Sequence, residues 1–341
     1  MVSGMGVRLG LVAILAAGFV AASAVLADSR AVGAGARPAA SKPDTGIVDI
    51  DTALRYEGDT AAGTGMVLSG SGLVLTNNHV IRGATSISVT DSSTGKRYSA
   101  TVLGYDVSAD VALLRLKKAS TLHTVAVGNS SSLRVGEHVT AVGNAGGVGG
   151  APSVTTGTVT ALHRSITVGD GSGGSERLIG MVMSTAPVEP GDSGGALLDG
   201  GGQVVGMITA SSQIGFRGAS NGGFAIPVNS AVSIARQIEA GRSSATVHVG
   251  PTAFLGVLTQ PSSRGGGAFI AAVEPGTAAA KAGLERGDVI TSFAGHAVSS
   301  AQQLTTLVTR IKPGQKVRLR WIDAFGNSHS ATARPTAGPP Q

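Results

Sequence analysis

Between residues 46 and 211 the chain repeats one pattern: a short run of aliphatic and β-branched residues, followed by turn residues. Examples are "GMVLSGSGLVLT", "SISVTD", "RYSATVLGYD", "DVALLRL", "HVTAVGN" and "QVVGMITA". Short strands at fairly regular spacing are typical of an antiparallel barrel or sandwich. Aromatic residues make up 3% of the chain and there are 52 glycines, which favours tight turns and small core side chains. The pattern predicts a mostly β fold.

The length of 341 residues is enough for two domains. In "VNSAVSIARQIEAG", Val228, Val232, Ala235 and Ile238 recur at helical spacing, and Gly241 is a plausible C-cap. A boundary follows, and the remaining strands with one or two helices predict a small α+β domain. The predicted division is residues 1–27 (targeting segment), 28–45 (flexible linker), 46–240 (first domain), 241–250 (hinge), 251–336 (second domain) and 337–341 (disordered tail).

The N-terminus indicates export. Arg8 precedes an uncharged apolar run over residues 9–27, which ends in the small-residue sequence "VLA". This pattern predicts a signal peptide cleaved after Ala27. The run is also nearly long enough to span a bilayer, so a retained membrane anchor is the alternative. Both interpretations place the protein outside the cytoplasm, secreted or in the cell envelope.

The charge and the cysteine content exclude several classes of site. The net charge is +6, but lysine and arginine are scattered and form no basic stripe with aromatic residues. Nucleic-acid binding is therefore not expected. The chain has no cysteine, which excludes disulfides and thiolate metal sites. No cluster of other metal ligands stands out, so neither a metal nor another cofactor is expected.

A candidate nucleophile, Ser193, lies in "PVEPGDSGGALLDG". Apolar runs precede and follow it, and Gly191 and Gly194 permit backbone angles that a side chain would forbid. A sharp turn here could point the amides of Gly191 and Ser193 at one spot, as a tetrahedral oxyanion requires. Ser172 in "GDGSGGSE" also lies among glycines, but no apolar strand leads into it, so a loop serine is predicted there.

A serine nucleophile needs a base and an acid that orients the base. His79 ends the strand-like run "GLVLTNNHV", where a rigid element could hold it. Asp110 opens the apolar run "DVALLRL", and a buried carboxylate there could fix the imidazole tautomer. Asp106 lies in a polar turn and is interpreted as solvated. The predicted order is His79, Asp110, Ser193, which is the chymotrypsin order.

Together, "LTNNHVI", "DVALLRL" and "PGDSGG" resemble the trypsin-like serine proteases of the HtrA (Deg) family, and residues after 251 resemble the PDZ domain that follows the protease there. The resemblance implies a chymotrypsin-like double β-barrel followed by a small α+β PDZ domain. It implies endopeptidase activity on polypeptides without a cofactor, and peptide C-termini as PDZ ligands. HtrA relatives are commonly trimers, which makes a homo-oligomer a candidate. A latent protease or a non-catalytic chaperone on the same fold is the alternative.

The resemblance also assigns further residues. Asp192 is a third candidate for the oxyanion hole, beside the amides of Gly191 and Ser193. Pro187 stands where trypsin-like enzymes place an acid, which predicts a preference for small or medium apolar residues before the cut. The predicted pocket residues are Pro187, Val188, Glu189, Pro190, Thr209, Ala210, Ser211, Phe224 and Ala225. The predicted PDZ groove residues are Phe254, Leu255, Gly256 and Val257 of the loop "AFLGV", with Leu304, Leu307 and Val308 of the facing helix.

Asp192 raises a separate question, because in trypsin-type zymogens an aspartate there pairs with a newly freed α-amino group. "TGIVDI" contains Ile47-Val48, but no lysine or arginine precedes it. Ile47 is therefore predicted to be a strand residue, with Asp192 held by internal donors that the sequence does not identify.

Overall fold

The computed structural model describes residues 42–56, 58–169, 175–211, 222–260 and 266–341.

The first barrel consists of six strands that close on themselves. The strands are β1 (Ile47–Leu54), β2 (Asp59–Ser69), β3 (Leu73–Thr76), β4 (Ser86–Asp91), β5 (Arg97–Asp106) and β6 (Val111–Leu116), with a one-turn helix α1 (Asn78–Ile81) after β3. They run in the order β5-β4-β1-β2-β3-β6, and the β5–β6 pairing completes the ring.

A second closed barrel follows, with the strand order β10-β11-β12-β9-β8-β7. Its strands are β7 (His138–Gly143), β8 (Ser153–Gly169), β9 (Ser175–Ser184), β10 (Ala196–Leu198), β11 (Val204–Ser211) and β12 (Gly223–Pro227), followed by α2 (Val228–Glu239). One core cluster contains Met66 and Leu75 of the first barrel together with Met207 and Phe224 of the second. The two barrels therefore share buried apolar contacts.

The segment predicted to be a hinge is hydrogen-bonded to the first barrel. It contains β13 (Val247–Val249), which pairs antiparallel with β5. The Gly250 amide donates to the Leu103 carbonyl at 2.8 Å. The His248 ring nitrogens lie 3.0 Å from the carbonyl oxygen of Thr309 and 3.1 Å from that of Gly250. Within the segment predicted to be a hinge, the sequence "TVHV" therefore contains a strand that packs on the first barrel.

The last domain contains a six-stranded sheet, a separate two-stranded sheet, two short helices and its own core. Its elements are β14 (Thr252–Phe254), β15 (Val257–Gln260), β16 (Ala268–Val273), α3 (Ala278–Ala282), β17 (Val289–Phe293), β18 (His296–Ala297), α4 (Ala301–Thr309), β19 (Val317–Ile322), β20 (Ser328–Ala333) and β21 (Thr336–Gly338). The sheet order is β15-β16-β17-β19-β20, with β18 paired to β17, and among the described residues β15 pairs with β16 alone and so has a free edge. The mostly β fold class, two barrels followed by a small α+β domain, is as predicted.

The tail differs from the disordered segment predicted for residues 337–341. Strand β21 pairs with β14, and the Pro340 carbonyl accepts a hydrogen bond from the Gly83 amide at 2.9 Å. The Gln341 amide donates to the Tyr105 hydroxyl at 3.3 Å, and Pro339 and Pro340 are buried. The tail contains no apolar run, and its contacts lie far away in sequence, which is why the pattern suggested fraying.

The predicted targeting segment (1–27) and most of the linker (28–45) lie outside the described residues, as does Ser172. Within the part of the chain that the structure describes, no helix is both long enough and apolar enough to cross a membrane.

Candidate active site

His79 and Asp110 form a directly bonded pair at the mouth of the first barrel. Helix α1 follows β3 immediately, so His79 lies on a helical turn and not at a strand end as predicted. Its Nδ1 lies 2.8 Å from Asp110 Oδ2, and its backbone amide donates to Asp110 Oδ1 at 3.0 Å. Asp110 is 2% exposed, whereas 39% of the His79 side chain is exposed. The carboxylate thus fixes the ring from inside while the ring faces solvent.

The electrostatics of the pair favour a charged carboxylate and a basic imidazole. Burial alone would raise the pKa of Asp110, but the charge of His79 and hydrogen bonds from His79 and Thr209 hold that pKa below its usual value. Removal from water lowers the pKa of His79, but the Asp110 charge and hydrogen bond outweigh it, so the pKa lies above its usual value. Each partner therefore stabilises the charged form of the other.

Thr209 links this pair to Ser193. Its hydroxyl donates to Asp110 Oδ2, and its backbone carbonyl accepts the hydrogen bond of the Ser193 hydroxyl at 3.3 Å. The Ser193 carbonyl in turn accepts from the Thr64 amide at 2.8 Å, across the barrels. In the described part of the chain, the Ser193 hydroxyl is bonded to Thr209 and not to His79. The side chain of Thr209, which is also a predicted pocket residue, lies against Asp110.

The turn that carries Ser193 requires glycine on both sides. Gly191 has a φ of +100°, and a Cβ there would overlap the Asn144 carbonyl oxygen. Gly194 has a φ of +87°, and a Cβ there would overlap the Thr64 carbonyl oxygen. Both positions combine a left-handed backbone with a close backbone contact, which only glycine satisfies.

The backbone amides of this turn are not equivalent. The Asp192 amide donates to the Glu189 carbonyl at 3.1 Å. Among the described residues, the amides of Gly191 and Ser193 have no protein acceptor. Asp192, the third predicted oxyanion donor, is therefore already engaged, whereas the other two amides remain for a ligand oxygen.

The Asp192 carboxylate is held by internal donors. Its Oδ2 accepts from the Glu189 amide at 2.9 Å, and its Oδ1 accepts from the Ser153 hydroxyl at 2.9 Å. Burial raises the pKa of Asp192 above its usual value against these hydrogen bonds. Ile47 is the first residue of β1, and its amide donates to the Asp44 carbonyl at 3.2 Å. Ile47 is thus a strand residue, and the sequence pattern had no means of identifying Ser153.

The predicted pocket residues divide into exposed and buried groups. Val188 is buried in a core cluster of the second barrel that also contains Ala225, and Phe224 is buried in the cluster shared by the barrels. Ala210 and Ser211 end β11, and their side chains lie outside the described part. Exposed side chains along this stretch belong to Pro187, Glu189 and Pro190.

The predicted PDZ groove residues differ in their surroundings. Phe254 stacks on Tyr56 of the first barrel with ring centroids 4.8 Å apart, and Leu255 is buried. Gly256 has a φ of +87°, and a Cβ there would overlap the Thr277 side chain. Val257 begins the free-edge strand β15. The helix residues predicted to lie beside the bound peptide are buried in the domain core: Leu304, Leu307 and Val308 are 3%, 8% and 6% exposed.

Among the described residues, no group of three or more histidine, aspartate and glutamate side chains is arranged to hold a metal ion. The arrangement at Ser193 instead has the composition of a nucleophile, a base and an orienting acid.

Comparison with known proteins gives two domain matches. Residues 63–207 match the model of the trypsin-like peptidase domain, and residues 253–322 match that of the PDZ domain. The predicted domain boundaries are wider and remain predictions. All three residues of the candidate site, His79, Asp110 and Ser193, fall within the first match.

Several curated proteins are similar to the chain. Serine protease PepD of Mycobacterium tuberculosis is 34% identical over 309 residues, which cover 85% of this chain and 64% of PepD. The periplasmic pH-dependent serine endoprotease DegQ of Escherichia coli is 37% identical, covering 75% of this chain and 55% of DegQ. The solved structure of the HtrA-type protease AlgW with a tripeptide has a TM-score of 0.49 at 27% identity, covering 87% of this chain and 95% of that one. The chain thus spans between half and two thirds of these curated relatives.

Proposed function

We propose that this chain, in which a trypsin-like peptidase domain is followed by a PDZ domain, is an exported serine endopeptidase of the HtrA type. The observation that carries this proposal is the bonded chain from His79 through Asp110 and Thr209 to Ser193. We propose that it cleaves misfolded or exposed polypeptides through an acyl-enzyme.

In this proposal the proton moves through His79. Because Asp110 accepts from Nδ1, the nitrogen of His79 that is left to act as the base is Nε2. Ser193 Oγ attacks the scissile carbonyl carbon as Nε2 takes its proton, and the carbonyl electrons move onto the oxygen. When the tetrahedral intermediate collapses, the C–N bond breaks and Nε2 returns the proton to the leaving amine. Water then releases the acyl group with the same base.

The developing oxyanion is bound by the amides of Gly191 and Ser193 in this proposal. Each donor of this kind is worth about 3 kcal/mol of barrier. The Asp192 carboxylate has a structural role, since it joins Glu189 to Ser153 and so holds the turn. In this proposal Asp192 does not need to pair with an α-amino group that proteolysis would free.

Active-site titration with a serine-directed fluorophosphonate, together with casein cleavage, tests the catalytic proposal. His79→Ala, Asp110→Asn and Ser193→Ala should each lower turnover by roughly 10⁴-fold or more, because these side chains act as a unit. Ser172→Ala is the matched control and should keep full activity. If Ser172→Ala loses labelling while Ser193→Ala is labelled normally, the nucleophile is Ser172 and the assignment of Ser193 is wrong. A wild-type chain that binds casein without cleaving it would favour the non-catalytic alternative.

The preference before the cut is proposed to be small or medium and apolar. The wall side chains described are apolar at Val188, Phe224 and Ala225, and Glu189 is exposed at the proposed rim. A peptide-library profile measures this directly, and a profile dominated by arginine or lysine would contradict it.

The second domain is proposed to bind peptide C-termini along β15, whose free edge can pair with an added strand. The proposed location is extracytoplasmic, in line with residues 1–27 and with relatives described as periplasmic. The mass of the mature protein separates cleavage after Ala27 from a retained anchor, and sedimentation separates a monomer from the trimer that the family suggests.

A further inference from the structure

An ion pair joins the helix that carries His79 to the second barrel. Arg82, the C-cap residue of α1, contacts the Glu176 carboxylate through its guanidinium group. Glu176 lies at the beginning of β9, opposite Val168 of β8, in the hairpin formed by these two strands. The two side chains are 24% and 16% exposed, so the pair is largely shielded from water.

Helix α1 needs external contacts to hold its position. It has four residues, a single turn, which is far below the length at which a helix is stable by itself. The bonds between Asp110 and His79, and between the Asn77 side chain and the Asp110 carbonyl, fix α1 to the first barrel. Ser193, however, is carried by the second barrel. The Arg82–Glu176 pair connects α1 to that barrel.

We propose that Arg82 and Glu176 are positioning residues for His79, which together hold α1 against hairpin β8–β9 and so set the imidazole relative to Ser193. The inference rests on the proposed protease function. The hairpin holds Glu176 in place, because its paired residues Ile166 and Leu178 are buried in the core cluster that both barrels share.

The two charges also act on His79 in opposite directions. The groups that face the imidazole electrostatically are Asp110 of the first barrel, Arg82 of its own helix and Glu176 of β9. After the dominant effects of burial and of Asp110, Arg82 lowers the pKa of His79 and Glu176 raises it. Removing one partner therefore shifts the pKa in a direction that depends on which partner is lost.

The test compares Glu176→Gln and Arg82→Gln by the pH profile of kcat/KM on a short peptide. Glu176→Gln should move the acid limb to lower pH and Arg82→Gln should move it to higher pH. In both, kcat should fall roughly tenfold with KM little changed, because positioning and not binding is lost. The charge reversal Arg82→Glu with Glu176→Arg should recover most of kcat. Asp51→Asn, which disrupts the exposed 3.8 Å pair with Arg97, is the matched control and should change neither quantity.

A second measurement separates this inference from the proposed function. NMR titration of the His79 imidazole in the Ser193→Ala background reports the same opposite shifts without turnover. If the wild type is inert but the imidazole shifts are opposite, the protease function fails and the positioning role stands. Shifts in the same direction, or no shift in either variant, would overturn the inference. Should Glu176→Gln not fold, Glu176→Asp keeps the charge but shortens the side chain, so it should lower kcat while leaving the imidazole titration nearly unchanged, and an unchanged kcat would overturn the inference.

Discussion

Thr209 shows how one residue can complete a site without being a member of the expected triad. Its hydroxyl donates to Asp110 while its carbonyl accepts from Ser193. Thr209→Val removes the hydroxyl but keeps the shape and the carbonyl. A hydrogen bond to a charged group contributes about 1.5–3 kcal/mol, so kcat/KM should fall by roughly one to two orders of magnitude. Thr209→Ser is the control, and equal losses in the Ser and Val variants would assign the effect to packing.

The pH dependence of the enzyme should follow His79. Only the neutral imidazole can act as the base, so activity should rise as pH increases through the His79 pKa. Because Asp110 holds that pKa above its usual value, the acid limb should lie above the value of an ordinary histidine. Asp110→Asn removes the charge that raises the pKa, so the imidazole titration, followed by NMR, should move downward. An unchanged titration in that variant would mean that Asp110 does not control His79.

At the residue scale the sequence predicted the chemical types but not all of the contacts. His79, Asp110 and Ser193 lie in recognisable runs, and the structure connects them through hydrogen bonds. Ser153 and Thr209 were not predictable as partners, because each is an ordinary strand residue whose neighbour is distant in sequence. Asp110 also adopts a φ of +53°, which an apolar run gives no reason to expect.

At the element scale, periodic segments were predicted well and irregular ones poorly. The two strands in "GMVLSGSGLVLT", predicted to be joined at Ser69–Gly72, and the helix ending before Gly241 are confirmed, with Ser69 as the last residue of β2. Strand β8, by contrast, extends to Gly169, well beyond the run "VTTGTVTALH". Its register shifts three times opposite β9, and His163 within it has a φ of +56°. Such bulges interrupt the alternation that a strand prediction relies on.

Gly256 is the position at which the loop after β14 depends most directly on glycine. Gly256→Ala should destabilise the PDZ domain by more than the 1–2 kcal/mol or so that a left-handed backbone alone costs, because its Cβ would also overlap Thr277. Gly276→Ala is the matched control: its φ is +76°, but a Cβ there meets nothing within 4 Å. Denaturant unfolding measures both. Equal losses of unfolding free energy in the two variants would show that the Thr277 side chain moves aside at little cost.

At the scale of the whole molecule, two segments hold the PDZ domain to the first barrel. They are the predicted hinge, through β13, and the C-terminal tail, which reaches helix α1. Strand β14, which leads into the loop at Leu255 and Gly256, pairs with β21. The tail after β21 reaches α1, where the Asn78 side chain donates to the Gln341 carbonyl at 3.1 Å. The sequence "TVHV" indicated a strand but not its partner β5, and the contacts of "TAGPPQ" were not predictable, because the Asn78 side chain that bonds Gln341 lies 263 residues away.

This route predicts that a peptide with a hydrophobic C-terminal residue changes the protease rate, and that the tail transmits the change. A coupling of about 1–3 kcal/mol corresponds to roughly 5- to 150-fold in rate or affinity. Replacing residues 339–341 by serine removes the buried prolines that hold the tail against α1. The variant should still bind the peptide, as calorimetry would show, but the peptide should no longer alter cleavage of a short substrate.

Tyr105→Phe tests the same connection between tail and barrel by removing a single oxygen atom. The Tyr105 hydroxyl accepts from the Gln341 amide and lies 3.1 Å from the Thr252 hydroxyl, so its removal should weaken the peptide effect while leaving the barrel intact. Tyr98→Phe is the control, because Tyr98 is buried in the same barrel and forms no hydrogen bond with the tail. A peptide effect that survives in both the serine variant and Tyr105→Phe would mean that the coupling does not run through the tail. Binding without any rate change in the wild type would mean that the two domains act independently.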